Sequence, residues 1–179
     1  MAYTALVRSK LEYSASVWDP HLKQDIDKLE RVQRQAARFI SGDYRSRDPG
    51  CVTAMLKEQN LPVLEERRRH QRLNLFYKIT EDLLPALPKE KFLTPMDNNR
   101  RKIKPTRHQG FQSANIVERH TANHSRGFRV PYTRTEQYRS SFFVRTTEDW
   151  KMLSEKVVNA ATPSAFASAL AGAGHPSPN

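Results

Sequence analysis

LKQDIDKLERVQRQAARFI, residues 22 to 40, is the stretch whose reading decides the fold. Wound at about 100° per residue, it gathers Ile26, Leu29, Val32, Gln33, Ala36, Ala37, Phe39 and Ile40 on one side. All but Gln33 are apolar. Arg31, Arg34 and Arg38 fall within about 60° of one another on the opposite side, flanked by Asp27 and Lys28. Such a helix buries one face and shows a row of guanidinium groups on the other. Two readings of that row stand side by side. Charged residues keep any amphipathic helix soluble, and Glu30 with Arg34 and Asp27 with Arg31 are i, i+4 pairs worth a few tenths of a kcal/mol. The alternative is a face turned toward nucleic acid, and the rest of the chain must decide.

The 179 residues suffice for one domain or two small ones. Only 37% are hydrophobic and 11 are proline, which predicts a thin core and much loop. A single cysteine, Cys51, excludes an internal disulfide framework and a multi-thiolate zinc site. No apolar run is long enough for a membrane span, and the first residues lack the apolar segment of a secretory signal. The expectation is therefore an intracellular protein, nuclear or cytoplasmic, with no membrane partner. The net charge is +11, and its distribution says more than its size. Residues 92–147 hold 11 basic and 3 acidic side chains, while residues 148–179 hold 2 and 3. A concentrated excess of this kind attracts polyanions, and counterion release makes the binding fall with salt.

Residues 2–16 read as a helix with an imperfect apolar stripe, stopped at Trp18-Asp19-Pro20 because proline pushes its predecessor out of the helical region. Gly42 is placed to end the main helix as a left-handed cap. Cys51 to Gln59 gives a short helix using Val52, Met55 and Leu56, and Pro62 sits near the first turn of a longer one. In that longer helix Leu64, Leu75, Phe76 and Ile79 form the apolar side, yet Arg68 and Arg72 fall in the same arc. Their heads either snorkel to water or to Glu65, or pair to line a groove. Pro85, Pro88 and Pro95 break up regular structure, and DNNRRKIKPTRH begins a basic connector expected to be irregular or partly disordered. FRVPY at 128–132 suits a short edge segment. Phe142, Phe143, Trp150, Met152 and Leu153 suit a helix of about three turns, unless Thr147-Glu148-Asp149 marks a helix start instead. Thr162-Pro163 opens a last helix holding Phe166 and Leu170. The predicted fold is mostly α: a small helical bundle, then a basic irregular connector, then a short helical C-terminal subdomain. The predicted divisions are 1–91, 92–127 and 128–171, with a flexible tail at 172–179.

Catalytic chemistry is hard to assemble from these residues. Two-metal polymerases and nucleases need adjacent carboxylates, whereas Asp25 and Asp27 diverge by about 200° on a helix. His120 and His124 have zinc-like spacing but no third ligand close by. No nucleophile elbow or phosphate-cradling glycine loop occurs. No enzymatic activity, cofactor or metal is expected. Trp18, Phe142, Phe143 and Trp150 sit at helix-compatible spacings and are read as core rather than as base-stacking platforms.

LVRSKLEY at 6–13, VWDP at 17–20 and IDKLERVQRQAARFI at 26–40 together resemble the region after the catalytic palm in LINE (non-LTR retrotransposon) reverse transcriptases of the Jockey-like kind. The likeness continues in order through LEERRR at 64–69, LFYKI at 75–79 and SFFVRT at 141–146, then Trp150, Leu153, Val157-Val158 and Phe166. It implies a thumb and C-terminal region that holds a primer–template or element RNA and touches the palm in the parent protein. The paired-aspartate palm, the fingers and the endonuclease are absent from this sequence, so the likeness implies a truncated remnant without polymerase activity. Sequence-tolerant binding to RNA, DNA or an RNA–DNA heteroduplex follows, through phosphate contacts from Arg31, Arg34, Arg38, Arg67, Arg69, Arg100, Arg101, Lys102, Lys104 and Arg107. Two further readings stand beside it: an orphan helical fragment with no independent activity, and a basic adaptor imported to the nucleus through RRKIKPTRH.

Overall fold

A computed structural model describes residues 2–96 and 122–172. They are mostly helical, as expected, and fall into two compact units, Met1–Arg72 and Leu73–Asn179. The division falls inside one helix, which carries ionic anchors in its first half and aromatic core residues in its second. Residues 97–121 of the expected connector, and the expected tail apart from Gly172, lie outside the described residues.

The first unit opens with a π-wound turn, Tyr3–Arg8, running into α1 (Ser9–Glu12). The single helix expected over 2–16 is broken at Ser14, whose φ of 51° is left-handed, and resumes as α2 (Ala15–Trp18). Asp19 and Pro20 then end it. The long helix α3 (Lys23–Ser41) stops at Gly42, whose φ of 67° suits a residue without Cβ. After the polar loop comes α4 (Cys51–Glu58), burying Met55.

The buried face of α3 keeps Ile26, Gln33 and Ala37 of the expected arc but is narrower and shifted to take in Glu30. Ile26, Glu30, Gln33 and Ala37 are buried, while Val32, Phe39 and Ile40 are exposed. Two polar residues turn inward because α5 (Leu64–Thr80) begins opposite them. Gln33 accepts from the Tyr3 hydroxyl at 3.1 Å and donates to the Pro62 carbonyl at 2.9 Å. Glu30 accepts the Glu65 backbone N–H at 2.9 Å, satisfying one of the orphan donors of a helix start. Burial pushes the Glu30 carboxyl up, against the pull of that N–H and of Arg68.

Arg68 and Arg72 neither snorkel nor line a groove. Both are buried, and both pair with Asp19: Arg68 Nε lies 2.8 Å from Oδ1, and Arg72 Nη1 reaches Oδ2. The stop signal after Trp18 thus doubles as the counter-charge for two core arginines. Arg67 forks onto Glu12, tying α1 to α5. Little apolar bulk is left in this unit: Tyr3, Ala15, Ile26, Ala37, Met55, Leu61 and Leu64 are its buried hydrophobic residues.

The second unit holds the dense core. From α5 come Leu73, Phe76, Tyr77 and Ile79, and after the short α6 (Lys89–Phe92) comes Leu93. α7 (Glu136–Arg139) buries none of its residues, whereas α8 (Phe142–Lys151), α9 (Glu155–Val158) and α10 (Pro163–Gly172) bring Trp150, Val157, Val158, Phe166 and Leu170 into that core. Trp150 packs on Phe76 at 5.2 Å and on Phe166 at 5.8 Å, and its indole N–H donates to the Arg126 carbonyl. The Tyr77 ring stacks on Phe166 at 4.5 Å, with its hydroxyl donating to the Ala160 carbonyl. Thr147 lies inside α8 and is buried, so no helix starts there. Met152, expected on the apolar side, is exposed. At the last helix the expectation holds: Thr162 Oγ1 accepts the Ala165 N–H, and Phe166 and Leu170 are buried. The FRVPY segment pairs through a single antiparallel bridge, Pro95 with Phe128.

Candidate functional site

The guanidinium row of α3 resolves into two kinds of residue. Asp27 pairs with Lys23 at 3.2 Å, and Asp25 with Lys28 at 2.8 Å. Glu30 is spent on the α5 N-terminus. The i, i+4 partners that would have quenched Arg31 and Arg34 are therefore engaged elsewhere. Both arginines are exposed, and neither forms an ion pair among the described residues. Arg38 behaves differently. Half-buried, it donates to the Asp43 carbonyl at 3.2 Å and the Ser46 carbonyl at 3.0 Å, and lies 3.6 Å from Cys51 Sγ. It staples the loop that follows its own helix.

Arg67 is bound to Glu12, and Arg69 is half-buried with interactions of its own. Arg100, Arg101, Lys102, Lys104 and Arg107, together with the RRKIKPTRH patch, lie outside the described residues. Of the residues expected at the site, the structure thus presents Arg31 and Arg34 to solvent as a pair one turn apart.

Sequence reasoning placed the charge excess of residues 92–147 correctly but singled out only its first part. The described remainder contains Arg126, whose guanidinium is taken up by Glu81 and the Val158 carbonyl. It also contains Arg129, Arg134 and Arg139, and none of these three forms an ion pair among the described residues. The signal that could have found them is local: Glu136 is the only acidic residue between 119 and 147. Phe142 and Phe143 are half-buried, the latter stacked on Phe92 at 4.9 Å with Lys91 over the Phe92 ring. Trp150 is core, as expected, whereas Trp18 is 40% exposed.

His120 lies outside the described residues, and His124 is buried edge-on against Trp150, with Nε2 2.8 Å from the Trp150 carbonyl oxygen. Among the described residues no group of three or more His, Cys, Asp or Glu could hold a metal ion, and no helix is long and apolar enough to cross a membrane. No protein-family model, curated protein or solved structure matches the chain. Function must be argued from its own residues.

Proposed function

We propose that this chain is a sequence-tolerant nucleic-acid-binding module, of the thumb and C-terminal kind found in LINE-type reverse transcriptases. It grips a primer–template duplex or element RNA through phosphates and carries out no chemistry itself. The observation that carries this reading is the exposed pair Arg31 and Arg34, neither held in an ion pair among the described residues, on a helix whose carboxylates hydrogen-bond or pair with other groups. A helix decorated for solubility alone would gain by pairing them. The net charge of +11 supports the same reading. Filter binding of the full chain to duplex DNA and to an RNA–DNA heteroduplex tests it. Binding at low salt should weaken steeply as salt rises. The double variant Arg31→Gln, Arg34→Gln should reduce the log–log salt slope by about 2, near 0.9 per lost phosphate contact. Absence of binding at low salt would overturn the proposal.

One observation favours a second reading, a helical fragment that needs a companion body to cover it. Leu6, Tyr13, Val17 and Phe39 are all more than 60% exposed on the first unit. Size-exclusion chromatography separates the two readings, since a well-behaved monomer with a cooperative melt disfavours the fragment.

A further inference from the structure

The second unit carries a surface segment, Arg129 to Arg139, in which cations and aromatic rings alternate: Arg129, Tyr132, Arg134, Tyr138, Arg139. Its tyrosines are not core. Tyr132 is 78% exposed and Tyr138 48% exposed, although the unit has buried places for other aromatic rings. Arg134 and Arg139 are exposed as well, and Arg129 is half-buried. The segment has one acidic residue, Glu136, to three arginines, and these three form no ion pair among the described residues.

The backbone beneath these side chains is bonded to the rest of the unit at one end and within itself at the other. Arg129 N–H donates to the Thr94 carbonyl at 2.8 Å, next to the Pro95–Phe128 bridge. At the other end Thr135 caps α7, its Oγ1 accepting the Tyr138 N–H at 3.3 Å, while Arg139 N–H donates to the Thr135 carbonyl. Rings and charges are thus presented from a fixed frame, which reduces the ordering cost of any ligand they meet.

We propose that this segment binds single-stranded nucleic acid, with bases stacked on Tyr132 and Tyr138 and phosphates held by Arg129, Arg134 and Arg139. This deepens the nucleic-acid reading above and rests on it. Exposed rings distinguish a single strand from a duplex, because paired bases offer their faces to one another and leave only phosphates for the protein. Every base has a π-face, so stacking keeps the binding tolerant of sequence.

Fluorescence anisotropy with the full chain tests the proposal, using labelled oligo(dT) and oligo(U) of about 12 nucleotides, within the usual site-size range, and a duplex of equal length. The double variant Tyr132→Ala, Tyr138→Ala should lose about 25-fold or more in affinity for the single strands, at least about 5-fold per ring, with duplex affinity unchanged. Tyr132→Phe, Tyr138→Phe keeps both rings and should bind as the parent does. Because both side chains are exposed, the variants should melt with the parent protein. Single-strand affinity that survives the alanine pair overturns the proposal, as does an equal loss for duplex. Binding of duplex without single strands overturns it while leaving the broader reading standing. Failure to bind any of the three overturns both.

Discussion

Asp19 sits between two guanidinium groups that solvent barely reaches. Breaking a buried ion pair from one side leaves a charge stranded, at a cost of about 3–5 kcal/mol. Asp19→Asn should therefore cost about 3 kcal/mol or more in chemical denaturation of the full chain. Arg68→Met should cost less, because Arg72 remains to pair with Asp19 and an apolar side chain of similar length replaces a guanidinium whose Nη1 and Nη2 are buried with no hydrogen-bond partner. Gly127 is a second tight point. A Cβ there would lie 2.8 Å from Ala122 Cβ and 2.9 Å from Met96 Sδ. Gly127→Ala should destabilise by about 1–3 kcal/mol through overpacking, and Met96→Ala in the same chain should return part of it. The Glu155 carboxyl is held below the usual range, first by the Ser125 hydroxyl, then by the Ser125 N–H and by Asn159. A lowered folded value means that this contact stabilises above the ordinary glutamate range and is lost as pH falls through the folded value. NMR titration should show the Glu155 midpoint rise toward the ordinary value in Ser125→Ala.

Helix ends were legible in the sequence because their chemistry is local. Gly42, Pro163 with Thr162, and the Asp19-Pro20 stop each act within a few residues of where they stand. The inward face of α3 was legible only in part: Ile26, Gln33 and Ala37 were placed on it and Glu30 was not. A hydrophobic arc treats Gln33 as an exception and Glu30 as solvent-facing, yet both answer groups about thirty residues away, the Tyr3 hydroxyl, the Pro62 carbonyl and the Glu65 N–H. Periodicity cannot see such partners. Gln33→Ala should therefore cost about 1–3 kcal/mol, by leaving the buried Tyr3 hydroxyl without its partner. Phe39→Ser, at the nominally apolar face, should change stability by less than about 0.5 kcal/mol. Thermal or urea melts of the pair would reverse the ranking that hydrophobicity alone suggests.

At the scale of the whole molecule, stability and charge are distributed differently. The second unit holds a contiguous aromatic and aliphatic core, whereas the first rests on a few small apolar residues and a set of buried polar contacts. Local opening is easiest where apolar contacts are few, so native-state hydrogen exchange should find slower amides at Phe76, Trp150 and Phe166 than at Ile26 and Ala37. Sequence composition foresaw a thin core but not which half would own the better one, because the aromatic residues that build it are scattered from 76 to 166. The bridge at Pro95 and Phe128 has one more consequence. Met96 donates its N–H to the Gly127 carbonyl at 2.9 Å, and Met96 and Ala122 both lie against Gly127. Two described segments about thirty residues apart in the sequence thus meet at one spot, so a change at Gly127 is felt on both.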